Sequence, residues 1–223
     1  MCRIFVGAIT SILTIFGVTL MILAVITPAW QVVTLTDLHV IHEHGLWLDC
    51  SSTNPTFRDI FSSDHRCTNK FINFEFSKKE NEMKIDNGDA NSHKLHRWHQ
   101  VMLIFFASSI IIAIMGQAFL FCAFCFPISG IVANLFLLLS FSTASLAMII
   151  FHIYTNKTEF RFISVMLNVY EQKTGYSSII GLLAVLILLM AFLLSILLSV
   201  LLFIYDRKKH NISKTFPKFS TSV

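Results

Sequence analysis

Charged residues are scarce in this chain. Asp, Glu, Lys and Arg make up only 13% of its 223 residues, whereas hydrophobic residues make up 55%. This balance excludes a soluble domain. The few charges are also unevenly spread, because four long apolar runs contain none of them. These runs are Phe5–Ile26, Val101–Phe126, Ile128–Tyr154 and Ser178–Tyr205.

Each run is long enough to cross a bilayer, since about 20 apolar residues span roughly 30 Å of hydrocarbon. Buried helices of a soluble core are the alternative, but four charge-free runs of this length argue against it. The first run is too long for a secretory signal, and Thr27–Trp30 lacks a small-residue cleavage pattern. We therefore predict four transmembrane helices. The predicted segments are residues 1–4, span 5–26, loop 27–100, span 101–126, turn 127, span 128–154, loop 155–177, span 178–205 and tail 206–223.

Flanking charge predicts the orientation. Arg207, Lys208 and Lys209 follow the last span directly, and Arg3 precedes the first. Basic residues near helix ends favour the cytoplasmic side, and four spans return the chain to its starting side. We expect a multi-pass plasma-membrane protein with both termini in the cytoplasm and loops 27–100 and 155–177 outside.

The five cysteines divide between the two sides. Cys50 and Cys67 fall in the first outer loop, where oxidation is permitted, whereas Cys2, Cys122 and Cys125 fall at cytoplasmic helix ends. A disulfide between the outer pair is expected, with two unpaired thiols as the alternative. Cys122 and Cys125 lack the second ligand pair of a zinc site. Reversible acylation at the membrane edge and simple buried thiols remain open for the cytoplasmic group.

The first outer loop has strand-like patterns. Val32–Val40 is rich in β-branched residues, Gly45–Asp49 predicts a short strand, and Arg66–Phe76 alternates between two faces. The predicted fold class is therefore membrane α+β: a four-transmembrane-helix bundle carrying an extracellular antiparallel β-sheet built from the first outer loop.

One motif in this loop resembles a family signature. Trp30, Gly45-Leu46-Trp47, Cys50 and Cys67 follow the first of four spans. This pattern resembles the claudin, peripheral-myelin-protein and calcium-channel γ superfamily, and the four spans, unequal outer loops and Gly175-Tyr176 extend the resemblance along the whole chain. The stretch His42–Cys50 is most similar to the nematode Clc-like claudin relatives.

The resemblance implies roles for these residues. Trp30, Gly45, Leu46 and Trp47 would seat the sheet on the bilayer, and the two cysteines would form its disulfide. Arg97 would help to fix the sheet to a helix. The first outer loop is longer than in typical claudins, mainly through residues 77–93. The position after the second cysteine, where claudin pores often carry a selectivity charge, is Thr68, with Lys70 nearby. This departure argues against a strongly charge-selective pore.

No pattern in the chain predicts catalysis. Ser140, Ser142, Ser145 and His152 lie in the third span without an embedded carboxylate, so we interpret the serines as contacts between helices. The loop histidines lack the cysteine or carboxylate that would complete a zinc site at a standard spacing. We expect no enzymatic activity, no cofactor, no bound metal and no nucleic-acid partner.

Three short signals concern modification and partners. Asn156-Lys157-Thr158 is a glycosylation sequon in the second outer loop. The chain ends Thr221-Ser222-Val223, which fits a PDZ ligand: a free carboxylate, an apolar last side chain and a hydroxyl two residues earlier. A basic patch beside the inner leaflet either binds anionic membrane lipid or only anchors the topology. It consists of Arg207, Lys208, Lys209, Lys214 and Lys218.

Two functions follow from these patterns. The first is a claudin-like protein of cell–cell junctions that forms adhesive or barrier strands as a homo-oligomer and docks a PDZ scaffold. The alternative is an auxiliary γ-like subunit that alters the trafficking or gating of an ion channel or receptor. Phe160, Phe162 and Tyr170 are candidate contact residues for self-association, or else aromatics of the bilayer interface.

Overall fold

The computed structural model of the chain describes residues 2–35, 40–53, 66–70, 97–124, 126–157, 162–165 and 168–215. Within these ranges four long helices and seven short strands form. The helices are α1 (Cys2–Ile26), α2 (Arg97–Cys122), α3 (Pro127–Thr155) and α4 (Tyr176–Thr215). All four are long and apolar enough to cross a membrane, as the four apolar runs predict.

The helix ends follow local chemistry. Pro127 occupies the first turn of α3, a position that tolerates proline because its missing N–H would have no helical partner. The last helix, α4, runs for 40 residues, or about 60 Å at 1.5 Å per residue. It continues past Tyr205 to Thr215, and no glycine or proline lies between these two residues.

The helices pack as two close pairs, α2 with α3 and α1 with α4, and α3 also lies against α4. Small polar side chains join them. Ser109 Oγ donates to Ser140 O at 2.8 Å, and Ser140 Oγ donates to Ser109 O at 2.9 Å. Ser142 instead donates to Leu138 O of its own helix at 2.8 Å. The predicted contact role therefore holds for Ser140 but not for Ser142.

A five-stranded antiparallel sheet lies at one end of the bundle, which we call the sheet end. Its order is β4-β3-β2-β1-β7, with β7 and β4 as the edges, and β5 pairs with β6 in a separate hairpin. The bounds are β1 (Gln31–Leu35), β2 (Val40–His44), β3 (Leu48–Thr53), β4 (Arg66–Asn69), β5 (Phe162–Val165), β6 (Asn168–Glu171) and β7 (Lys173–Thr174). The predicted fold class, four spans and an antiparallel sheet, is confirmed.

The strand boundaries differ from those predicted. The segment 32–40 is not one strand, since β1 ends at Leu35 and β2 begins at Val40, antiparallel to it. The predicted strand at Gly45–Asp49 is wrong in its first half, because Gly45–Trp47 form the turn between β2 and β3. Gly45 N donates to Leu48 O at 2.8 Å across this turn. Of the predicted strand 66–76, β4 covers 66–69, and residues 71–76 lie outside the described ranges.

Candidate functional site

The W-GLW motif forms the contact between the sheet and the helices, which we call the sheet–bundle junction (Trp30, Gly45, Leu46, Trp47 and Gly175). Trp30 is only 1% exposed. Its ring packs against Phe106 of α2 and Phe151 of α3, with centroids 5.6 and 5.1 Å away. The Trp30 ring is therefore enclosed by the helices of the bundle.

Both tryptophans of the motif donate to the end of α1. Trp30 Nε1 donates to Ala24 O, and Trp47 Nε1 donates to Val25 O, each at 2.8 Å. The last four carbonyls of a helix have no partner within that helix and need donors from elsewhere. The two indoles thus cap α1, and the hydrogen bond from Trp47 ties the turn between β2 and β3 to this helix.

Leucine and glycine complete the turn for steric reasons. Leu46 is fully buried within the same hydrophobic cluster as Trp30 and Phe106. A Cβ on Gly45 would lie 2.8 Å from Leu48 O and 2.8 Å from Pro28 Cα. These are backbone atoms that cannot move aside, so the turn at the junction requires glycine.

The start of α4 docks on the same segment. Gly175 N donates to Trp30 O at 2.9 Å, and Ser177 N donates to Ala29 O at 3.0 Å. A Cβ on Gly175 would lie 2.1 Å from Ala29 O, so any side chain at 175 would push α4 away. The residues flanking Trp30 therefore bind α1, the sheet and α4 together.

A cluster of three polar side chains, His44, Asp49 and Lys70, lies next to the same turn. Lys70 Nζ is 3.0 Å from Asp49 Oδ1 and donates to Gly45 O at 2.7 Å. His44 Nδ1 lies 3.0 Å from the same carboxylate oxygen. Lys70 and Asp49 are each 5% exposed. Burial lowers the pKa of Lys70, and the charge and hydrogen bond of Asp49 partly offset that effect.

This cluster gives Lys70 a different role from the one its sequence position suggests. The sequence places Lys70 near the selectivity position of claudin pores, whereas in the structure its ammonium group donates a hydrogen bond to the Gly45 carbonyl inside the protein. Such a buried cation cannot line a water-filled path. The available signal was the strand pattern, which puts Thr68 and Lys70 on the same face as Ile72, Phe74 and Phe76.

Cys50 and Cys67, the two cysteines of the first loop, are bonded. Cys50 of β3 and Cys67 of β4 are directly opposite in register, with Cα atoms 4.1 Å apart, and form a disulfide. The bond links the edge strand β4 covalently to β3. Cys50 is buried and Cys67 is exposed.

Arg97 does not make the contact that the resemblance implies within the described part of the chain. It is the first residue of α2 and is exposed, and no described residue forms an ion pair or hydrogen bond with its side chain. The next residue, Trp98, belongs to the same hydrophobic cluster as Leu46. It is 6% exposed and stacks on Tyr154 of α3 with ring centroids 5.5 Å apart. A tryptophan at the start of a span was the signal that sequence reasoning missed.

The remaining predicted residues are scattered. Asn156 is exposed and caps the C-terminus of α3. Cys122 is an exposed free thiol at the end of α2, away from the sheet, and Cys2 begins α1. Cys125, Phe160 and Thr221-Ser222-Val223 lie outside the described residues.

Two candidate contact residues fall in the β5–β6 hairpin. Phe162 pairs with Glu171, and Ile163 pairs with Tyr170. Because cross-strand partners share a face and faces alternate along a strand, positions 162 and 170 belong to opposite faces of the hairpin. The hairpin therefore places these two candidate contact positions on opposite faces.

The fold and junction define a four-span membrane protein whose disulfide-bonded sheet is fixed to the ends of its helices. A family model described as Clc-like matches residues 5–207. The chain belongs to the Clc-like family, which confirms the resemblance of its W-GLW region. It is also 27% identical over 189 residues to Clc-like protein 2 of Caenorhabditis elegans, a match that covers 81% of this chain and 69% of that relative.

Proposed function

We propose that this claudin-like membrane protein acts at cell–cell contacts of the plasma membrane. In this proposal the sheet end faces outward, both termini are cytoplasmic, and copies associate through the sheet and the β5–β6 hairpin into adhesive or barrier strands. The observation that carries the proposal is the rigid attachment of the sheet to the helices at the sheet–bundle junction.

Rigidity matters because binding must offset the entropy lost when mobile groups become ordered. Here the turn at Gly45–Trp47 is held by the Trp47 indole, by the fully buried Leu46 and by the Lys70 ammonium group. The disulfide fixes the β3–β4 edge. A sheet ordered in this way presents its surface at a constant angle to the membrane, which favours repeated contact with identical neighbours.

The hairpin supplies a testable contact surface. Since positions 162 and 170 belong to opposite faces, a single flat partner covers only one of them. Phe162→Ala and Tyr170→Ala should therefore differ when each is introduced alone. Thr34→Ala, at an exposed site on β1, is the matched control that leaves the hairpin unchanged.

The test mixes cells that express a tagged protein with cells that lack it. Adhesive strands should concentrate the protein at contacts between two expressing cells, and one hairpin variant should lose this concentration while Thr34→Ala keeps it. Equal signal at contacts with non-expressing cells would contradict self-adhesion. Co-purification with one channel or receptor would then support the auxiliary-subunit function, which the long insertion at 77–93 favours.

The cytoplasmic side of the proposal concerns lipid and scaffold. Helix α4 continues through Thr215, and its exposed Arg207 and Lys208 follow the apolar run directly. Basic residues in this position contribute about 1 kcal/mol each toward anionic lipid. We propose that this part of α4 contacts the inner leaflet and that Thr221-Ser222-Val223 binds a PDZ domain of a scaffold.

A further inference from the structure

A polar cleft of about 410 Å³ opens at the sheet end, where the end of α3 meets the β1–β7 edge of the sheet. Its lining includes Gln31 of β1, Asn156 after α3, and residues 171–174, which run from the end of β6 through β7. The volume lies within the range of small-ligand sites, about 300–1,000 Å³. None of the junction residues lines it, so it is separate from the sheet–bundle junction.

The lining is suited to hydroxyl groups. Gln31 is only 5% exposed, yet its side-chain amide makes no hydrogen bond to any residue that the structure describes. An amide carries two donors and an acceptor, and here it borders the cleft. Glu171 and Lys173 bring one formal charge of each sign to the lining, so the two charges balance. This mixture matches a neutral polyol such as a sugar better than an anion, a metal ion or an apolar molecule.

Asn156 is positioned to carry such a sugar. It is exposed, and its backbone N–H donates to His152 O at 3.3 Å. Lys157 Nζ lies 4.7 Å from the Tyr154 ring centroid, which holds the first two sequon residues against the end of α3. That helix has 29 residues, about 43 Å at 1.5 Å per residue, which exceeds the roughly 30 Å of hydrocarbon. Asn156 can therefore stand clear of the bilayer.

We propose that Asn156 carries an N-linked glycan whose core occupies this cleft and covers the β7 edge of the five-stranded sheet. The bond forms between Asn156 Nδ2 and the anomeric carbon of an oligosaccharide. The bond from that carbon to its lipid-pyrophosphate carrier breaks, and the amide releases a proton. A glycan in this place prevents β7 from pairing with another strand, which leaves β4 as the open edge.

This inference rests on the proposed outward orientation of the sheet end, and a second sequon in the chain tests that orientation separately. Asn211-Ile212-Ser213 lies in α4 on the far side of the membrane. In full-length protein from animal cells, N-glycosidase should increase gel mobility. Asn156→Gln and Thr158→Ala should each abolish the shift, and Asn211→Gln should retain it. A shift lost only in Asn211→Gln would overturn the orientation, and no shift in the wild type would overturn the glycan.

The position of the glycan core is tested with single cysteines and a membrane-impermeant thiol reagent on intact cells. Thr174 is exposed within the cleft, and Thr34 is exposed on β1 outside its lining. The labelling rate of Thr174→Cys should rise severalfold after the glycan is removed by N-glycosidase or by Thr158→Ala, while that of Thr34→Cys stays constant. Labelling of Thr34→Cys also reports an outward sheet independently of glycosylation. An unchanged rate at Thr174→Cys on a glycosylated protein would show that the glycan lies elsewhere and would overturn its place in the cleft.

Discussion

Replacing Trp30 with phenylalanine separates the two roles that this residue could have. A bilayer-surface anchor tolerates another aromatic ring, whereas a buried cap on α1 loses its donor. Trp30→Phe removes the hydrogen bond to Ala24 O, worth about 1 kcal/mol. The smaller ring also leaves a space between Phe106 and Phe151. At about 24 cal/mol per Å³, a cavity of about 40 Å³ costs about 1 kcal/mol more.

The expected loss is therefore about 2 kcal/mol of unfolding free energy, which lowers Tm by roughly 4–8 °C in a chain of this size. Trp30→Ala should cost about 3–5 kcal/mol, the usual range for a buried large aromatic. Trp47→Phe is the matched control. It loses the same kind of hydrogen bond, to Val25 O, but from a ring that is only partly buried, so about 1 kcal/mol is expected.

Thermal unfolding of the purified protein in lipid nanodiscs measures all three variants. The order of destabilisation should be Trp30→Ala, then Trp30→Phe, then Trp47→Phe. If Trp30→Phe unfolds at the wild-type temperature, the capping role of Trp30 is refuted. If both phenylalanine variants shift equally, the additional cavity cost at the buried Trp30 site is refuted.

Three further predictions concern the disulfide, the buried lysine and the tail. Cys50→Ser should cost the sheet about 3 kcal/mol of unfolded-state constraint and block surface delivery; mass mapping that finds both thiols free in native protein would contradict this. Burial holds the pKa of Lys70 in the folded protein below its usual 10.5. At pH values between that lowered pKa and 10.5, the unfolded chain binds more protons than the folded chain, so stability rises with pH. Unfolding followed from neutral pH to about pH 10 should show this rise, and Lys70→Met should lack it; parallel profiles would refute the assignment. Deleting Val223 or phosphorylating Thr221 should abolish binding of a Phe219–Val223 peptide to PDZ domains without changing the unfolding temperature; equal binding by the shortened peptide would exclude docking.

The spans were predictable because the bilayer imposes one strict requirement, a sufficiently long apolar run. The sheet was harder. Strand β2, Val40–His44, has five half-buried residues and no alternation between buried and exposed positions, so it lacks the period-two pattern that identifies a strand. Its position depends on pairing with β1 and β3.

The junction was only half predictable. The W-GLW pattern indicated which residues join the sheet to the helices, but an indole suits both a bilayer surface and a buried hydrogen bond. The choice depends on Phe106 and Phe151, which are remote from Trp30 in sequence and meet it only in the folded bundle. Lys70 is a similar case, because its burial becomes favourable only when Asp49 and the Gly45 carbonyl come within hydrogen-bonding distance.

The unbroken course of α4 has a mechanical consequence. Its first residues are hydrogen-bonded to Ala29 and Trp30, and the helix then extends to Thr215 without an intervening loop. A pulling force on the sheet is therefore transmitted to the far end of α4 along one continuous helix, with no flexible loop between. The hydrogen bonds of Gly175 and Ser177 reinforce the backbone link through which β7 continues into α4. A side chain at position 175 would break these hydrogen bonds and let α4 tilt relative to the sheet.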